Sequence, residues 1–370
     1  MNFEKIEEAY TLLLENVQVI QNKLSTNFYD ALIEQNGIYL DGQTDLEIVK
    51  KNHQTLKSLK LSREEWRRAY QFILMKGAQT EPLQANHQFT PDAIGFLLIF
   101  IIDQLMVASD ITLLEMGSGT GNLAETILNN SQKEIDYLGL EIDDLLIDLS
   151  ASIAEVMGSK AHFAQGDAVR PQVLKESDLI ISDLPVGYYP DDQIASRYQV
   201  ASQTEHTYAH HLLMEQALKY LKVDGYAIFL APNHLLTSPQ SDLLKSWLKD
   251  NASLVAMIAL PEKLFASVSQ AKTVFVLQKQ KNIKFVSWEE YARPSTKFDS
   301  VWNKQKSAMI CKVATTVICR EVYGLSGLYT EEEIQKEEKQ EPRTITPPDL
   351  SKIVIPNQTE DDTSNSSDNE

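Results

Sequence analysis

Apolar residues recur at three- and four-residue spacing through the first 85 positions. Ile6, Tyr10, Leu13, Val17, Ile20 and Leu24 form one stripe, and Leu61, Trp66, Tyr70, Ile73 and Leu74 form another. That spacing predicts amphipathic helices. Ser62, followed three residues later by Glu65, predicts a capping box that opens the second stripe's helix. From about 88 to 280 the pattern changes. Short apolar runs, rich in β-branched residues, fall at Ile111–Met116, Tyr137–Ile142, Ala161–Ala164, Asp178–Asp183, Gly225–Ala231, Leu254–Leu260 and Lys272–Gln278. Helical patterns separate most of them, notably Asp144–Met157, His206–Leu221 and Pro239–Asp250. Strands alternating with helices predict a mainly parallel sheet covered on both faces. A ligand then binds at the carboxyl ends of the strands, near the switch in strand order.

The longest apolar run, Ala93 to Ile102, ends at Asp103 and is too short to span a bilayer, so it reads as a buried helix. Beyond 283, Trp288, Tyr291 and Trp302 suggest packing, and Val313–Ile318 reads as a strand. From Glu331 onward Glu, Lys, Ser, Asn, Asp, Thr and Pro dominate, a composition that predicts disorder. The expected organisation is a helical domain over 1–85, an α/β domain over 86–282, an extension over 283–330 that the pattern assigns to no class, and an acidic disordered tail over 331–370.

With 370 residues, 43% of them hydrophobic, the chain can bury a sizeable core. Its formal net charge is −18, and Glu331–Glu370 holds twelve acids against four bases, which leaves −10 for the rest. Phosphate contacts supply most nonspecific DNA affinity, so this chain alone is poorly suited to grip DNA without a local basic face or a basic partner. Bases do outnumber acids between 50 and 76: Lys50, Lys51, Lys57, Lys60, Arg63, Arg67, Arg68 and Lys76 stand against Glu64 and Glu65. The stretch reads either as a nucleic-acid-facing surface or, more simply, as a solvated helix face. Cys311 and Cys319 lack metal or redox spacing, and Met1–Lys5 begins no signal peptide. A cytoplasmic location with no membrane association is expected.

Candidate chemistry begins at Leu113-Leu114-Glu115-Met116-Gly117-Ser118-Gly119-Thr120-Gly121-Asn122-Leu123, a buried strand running into a glycine turn that opens a helix. Gly117, Gly119 and Gly121 let backbone approach a ligand closely. The dinucleotide fingerprint wants glycine at its sixth place, where this chain has Asn122. Glu115 would repel a pyrophosphate and suits a cationic ligand. S-adenosylmethionine, with an ammonium, a sulfonium and no phosphate, is such a ligand; an ordinary tight turn is the plainer alternative. Two more acids end successive strand units, Glu141 and Asp167, each 26 residues after the last. An acid ending the second strand can accept both ribose hydroxyls of a nucleoside, and one after the third can accept an adenine amino group. Asp143 reads as a helix cap. His206 and His210 have no third metal ligand in the pattern and are expected to face solvent, and no metal is expected.

In motif order and spacing these stretches resemble class I S-adenosylmethionine-dependent methyltransferases, specifically the N6-adenine DNA methylases akin to type I methylation subunits. Phe89-Thr90-Pro91 resembles the family's upstream cofactor segment, and Glu115–Gly121 its glycine motif. Ser182-Asp183-Leu184-Pro185-Val186-Gly187 falls where the family carries its catalytic Asn/Asp-Pro-Pro-aromatic tetrapeptide. Phe229–Asn233, Ile258–Phe265 and Thr273–Leu277 resemble its last three strands. Helical front and core together resemble the YtxK-like proteins of Gram-positive bacteria.

The resemblance implies a Rossmann-like fold with a seven-stranded, mostly parallel sheet and an amino-terminal helical domain. It implies S-adenosylmethionine as cofactor, bound by Thr90, Glu115, Gly117, Gly119, Gly121, Glu141, Asp167 and Asp183. It also implies DNA as substrate, reached through a separate specificity or basic subunit. Asp183 and Pro185 would frame the target amine. Leu184 replaces the family's first proline and Val186 its aromatic residue. Tyr188 and Tyr189 are candidates for the missing ring, or pack beneath the following loop, and Gly187–Gln203 is a candidate lid. Methylation of RNA or of a protein amide, and cofactor binding without transfer, stay open as alternatives.

Overall fold

The computed structural model describes residues 1–83, 89–261, 264–265 and 270–279. The expectations placed on Trp288, Tyr291, Trp302, Cys311, Cys319, Val313–Ile318 and the acidic tail lie outside the described residues. Among those residues the strands form one seven-stranded sheet. They are β1 (Asp110–Met116), β2 (Glu134–Glu141), β3 (His162–Gln165), β4 (Ser177–Asp183), β5 (Leu221–Pro232), β6 (Ser253–Ala259) and β7 (Lys272–Gln278). Their order is β3-β2-β1-β4-β5-β7-β6. β7 runs antiparallel to both β5 and β6, and the other pairings are parallel. This is the Rossmann-like class I arrangement expected from the sequence. The order reverses between β1 and β4, so the crevice for a ligand lies at the ends of those strands.

Helices cover both faces. On one, α5 (Asp92–Leu105) and α6 (Asn122–Asn130) bury Ile94, Leu97, Leu98, Ile101, Ile102 and Ile127 against Leu113, Tyr137, Ile181 and Ile228. On the other, α9 (Ala209–Tyr220) and α10 (Ser241–Asn251) bury Leu212, Met214, Leu218, Leu244 and Trp247 against Leu114, Met116, Ile180 and Phe229. The apolar run at Ala93–Ile102 lies within α5, and no described helix is long and apolar enough to cross a membrane.

The front consists of α1 (Phe3–Leu24), α2 (Phe28–Asp41), α3 (Glu47–Leu59) and α4 (Arg63–Thr80). Ile6, Leu13, Val17 and Ile20 are buried as the stripe predicts, whereas Leu24 is exposed beside the left-handed Ser25 that ends α1. The Ser62–Glu65 capping box forms, and Glu65 Oε1 also accepts the backbone N–H of Asn2 at 2.8 Å. The front packs on α7 (Asp144–Met157), whose Leu146, Leu149, Ile153 and Met157 share its apolar cluster. A buried polar network runs through this interface. Asn52 donates to Asn16 (2.9 Å), Asn16 to Gln35 (3.1 Å), Gln35 to Asn36 (2.8 Å) and Asn36 to Ser152 of α7 (3.0 Å). Tyr70 also donates to Asn36 (2.8 Å).

Arg67 is fully buried rather than part of a basic face. It donates twice to Glu64 (2.8 and 2.6 Å), twice to Asp92 (3.0 Å each) and once to Thr126 (3.1 Å), joining α4, α5 and α6. Arg68 pairs with the same two acids. Removing one partner from a buried ion pair leaves uncompensated charge, at a cost of about 3–5 kcal/mol. Arg67→Met is therefore expected to lower unfolding free energy by about that amount, read from urea denaturation; an unchanged midpoint would refute the assignment.

Candidate functional site

The glycine turn sits where β1 ends and α6 begins. Gly117, Gly119 and Gly121 have φ of 81°, 54° and 75°, the left-handed region that costs L-residues energy. Two backbone N–H groups, from Gly117 and Ser118, donate to the Leu140 carbonyl (2.8 and 2.9 Å), which fastens the turn to β2. A Cβ built at Gly117 or Gly119 meets no atom within 4 Å, so both glycines present bare backbone to open space. At Gly121 the added atom would lie 3.0 Å from Phe163 and 3.1 Å from Ser150, so this glycine serves packing of helix against strand. Ser182 at the end of β4 donates to the Met116 carbonyl at 2.5 Å, holding the two lips of the crevice together.

Three predicted acids converge here. Glu141, buried at the end of β2, accepts the N–H groups of Gly119 (2.8 Å), Ile142 (2.8 Å) and Asp143 (3.1 Å). Its carboxylate is bound into the turn. Glu115 lies deeper, only 2% exposed, and accepts a hydrogen bond from the Tyr137 hydroxyl. Burial pushes its carboxyl up to about 8; the Tyr137 hydrogen bond opposes this, and the charges of Asp183 and Glu141 add to it. Asp183 ends β4. Thr90 donates to its Oδ2 at 2.9 Å, and the Lys272 ammonium donates to its Oδ1. Thr90 is buried, and its carbonyl accepts from Asn122 at 3.3 Å, tying the segment before α5 to the turn.

Asp167 follows β3 on the same edge of the sheet. Its carboxylate accepts from Val169 N–H (2.9 Å), the Tyr189 hydroxyl (2.5 Å) and Arg170 (3.3 Å). Tyr189 is thus a buried packing residue. Tyr188 is 53% exposed and stacks on Tyr208 at 4.8 Å and 11°; Tyr208 in turn stacks on His210 at 5.0 Å and 19°. In the tetrapeptide, Leu184 is fully buried in the core, while Val186 is exposed.

Asp143 is a helix cap as expected, its carboxylate accepting from Leu146 N–H at 3.2 Å. The expectation that His210 faces solvent is corrected. α9 begins at Ala209, so His206 precedes the helix and is exposed, whereas His210 is buried beneath Tyr208. Burial pushes His210 down to about 4 and His211 to about 3, so both rings are neutral at pH 7. Among the described residues no cluster of His, Cys, Asp and Glu could hold a metal. The Gly187–Gln203 segment is packed: it carries α8 (Asp192–Ala195) and buries Ile194, Tyr198, Val200 and Ala201 in the core. Sequence reasoning missed Lys272 and Tyr137. Lys272 opens β7 and Tyr137 lies inside β2, where apolar neighbours mask a polar side chain, and their partners are 89 and 22 residues away.

The raised Glu115 carboxyl has a consequence for stability. Between the ordinary carboxylate value of 4.5 and about 8, the folded chain binds a proton that the unfolded chain has released. Stability therefore falls as pH rises through that window, by about 1.4 kcal/mol per unit. Glu115→Gln is expected to gain on the parent as pH rises from about 5 to 8, in urea denaturation at stepped pH. A constant difference would contradict the raised value.

Comparison with known proteins bears on this geometry. Residues 62–346 match the family model described as N-6 DNA Methylase. The uncharacterized protein YtxK of Bacillus subtilis (strain 168) is 34% identical over 275 residues, 71% of this chain and 83% of that one. A Listeria monocytogenes protein, provisionally described as a class I S-adenosylmethionine-dependent methyltransferase, has a solved structure that matches with a TM-score of 0.71 at 26% identity. That match covers 85% of this chain and 99% of that one. The methyltransferase subunit of a type I restriction-modification system from Streptococcus thermophilus matches at 0.54 and 14% identity, over 83% and 74%, a likeness of fold alone.

Proposed function

The chain belongs to the N-6 DNA methylase family, and from that premise we propose that it transfers a methyl group from S-adenosylmethionine to an exocyclic amine, with adenine in DNA as the substrate. The observation that carries this reading is the convergence of Glu115, Glu141 and Asp183 on a turn whose Gly117 and Gly119 face open space. A nucleoside cofactor suits that set: Glu141 holds a fixed carboxylate beside the turn for a ribose hydroxyl, and no Cβ blocks close approach. When bound, S-adenosylmethionine supplies an electrophilic methyl group.

The chain's own residues supply position. Glu141, already fixed by three backbone N–H groups, keeps about one of its four lone-pair sites for a ribose hydroxyl. Gly117, Gly119 and Gly121 would shape the backbone beneath the methionine end, with the buried, protonated Glu115 carboxyl behind it. Asp167 takes the adenine end, and Thr90 holds Asp183. An exocyclic amine is a weak nucleophile because its lone pair is delocalised into the ring. Asp183 and the Leu184 carbonyl accept its two N–H groups, with Pro185 stiffening the loop, so that the nitrogen pyramidalises toward the methyl. The work is orientation and fixed electrostatics. The half-exposed Tyr188 ring offers a flipped base the stacking surface that Val186 cannot.

A net charge of −18 and the internal use of Arg67 leave little for a phosphate backbone, so DNA recognition is assigned to a separate basic or specificity subunit. Val186 favours a second reading, cofactor binding without transfer.

Calorimetry with S-adenosylmethionine is expected to show binding that Glu141→Ala reduces at least tenfold. Tyr188→Ala should weaken substrate binding by about 1–3 kcal/mol, the usual worth of a stacked base, with cofactor affinity unchanged. Methylation-aware sequencing of cells with and without the gene should show lost adenine methylation. Labelled transfer to RNA or protein alone would redirect the substrate, and tight cofactor binding with no transfer to any of them would establish the second reading.

A further inference from the structure

The tetrapeptide acid does not stand alone in its crevice. Lys272 is the first residue of β7 and pairs in register with Pro232 of β5, while Asp183 pairs with Leu230 on the opposite side of β5. The two are therefore two strands apart and offset by two residues along β5, about 12 Å at the backbone, a distance only a long side chain spans. The Lys272 stem crosses the end of β5 and places its ammonium on Asp183 Oδ1. Both side chains are largely withdrawn from water, at 14% and 20% exposure, so the pairing is weakly screened. Thr90 takes the other oxygen at 2.9 Å. A carboxylate offers about four lone-pair sites, and these two donors occupy two of them. The plane of the carboxylate is fixed, its charge is compensated, and room remains for an incoming N–H.

We propose that Lys272 determines which kind of amine the Asp183 position receives: an uncharged amino group, as on a nucleobase or a carboxamide, and not an ammonium, as on a lysine side chain. This rests on the reading of Asp183 as the acceptor of the amine. A bare carboxylate would bind an alkylammonium far more strongly than a neutral amine, because the Coulomb term acts only on the ion. With the Lys272 ammonium already in contact, an arriving cation meets a neutral pair and a like charge. A neutral N–H group still finds a polarised acceptor. Lys272 is a specificity-determining residue; it need not touch the reacting atoms.

The test needs no turnover. If Asp183 receives the amine, the transferable methyl faces it, so a cofactor analogue carrying a primary amine in place of the methylsulfonium (sinefungin) presents a cation there. S-adenosylhomocysteine presents none. Calorimetry on the full chain at pH 7 gives the affinity ratio of the two. Lys272→Met is expected to raise the preference for sinefungin at least tenfold, Lys272→Arg to keep the parent ratio, and Asp183→Asn with Lys272→Met to remove the gain. An unchanged ratio in Lys272→Met, including equal losses for both ligands with a lowered melting temperature, would overturn the proposal while leaving the cofactor reading intact. No binding of S-adenosylhomocysteine by the parent would overturn the cofactor reading and this inference with it.

Discussion

Everything at the carboxyl edge of the sheet depends on gathering carboxylates where water is scarce. A buried ionised carboxylate without a partner is costly, and each of these acids meets the cost differently. Glu141 takes three backbone N–H groups, which no side-chain substitution can withdraw. Asp183 takes one hydroxyl and one ammonium. Glu115 takes a single phenol and is left with a carboxyl that burial holds protonated near neutral pH. The gradient is orderly: the acid nearest the turn backbone is the best compensated, and the deepest is the least.

Holding such a site open requires rigid lips, and the front of the molecule contributes to that. Arg67 fastens α4 to Asp92 at the start of α5, two residues after Thr90. Thr90 touches Asp183 and Asn122. The helical front thus connects to the crevice through a short run of chain, with the Asn16–Gln35–Asn36–Ser152 network as a second attachment to α7. Polar networks of this sort are satisfied in only one docking geometry, so they fix orientation where apolar packing alone would tolerate several.

Much of this was legible in the sequence because it follows from periodicity and from rigid local rules. All seven strands were predicted, Lys272–Gln278 and the helix Asp144–Met157 with the observed ends. Strand edges erred at the start of β2, where polar Glu134 and Asp136 flank Ile135, and at the start of β5, where the pairing with β4 shifts between Ser177 and Leu179. The capping box and the Asp143 cap were readable because a cap is decided within four residues. What sequence could not show was pairing across the sheet. Lys272 reads as one polar residue before an apolar strand, and Arg67 as one base among eight. His210 reads as half of an exposed pair until the start of α9 at Ala209 turns it inward.

The altered tetrapeptide is best understood through the same distinction between local rule and tertiary placement. Leu184 is no conservative neighbour of proline in chemistry, yet it is fully buried and its N–H donates to the Leu230 carbonyl at 2.9 Å. Proline could not make that bond. The exchange therefore trades a stiff ring for an added rung between β4 and β5, and the loop is held either way. Val186 has no such compensation in place, but the chain that follows it does. Gly187, at φ of 140°, leads into a two-residue bridge between Tyr188 and Tyr208, and the half-exposed Tyr188 ring lies flat on its partner, with the His206 ring 6.3 Å away. A ring backed by another ring is fixed in one plane before a ligand arrives, so little rotamer freedom is lost on stacking. An aromatic ring two residues beyond Val186 is thus held in a fixed plane. A stacking surface answers to the position and freedom of its plane, which the column through Tyr208 and His210 sets, and not to its register in a tetrapeptide.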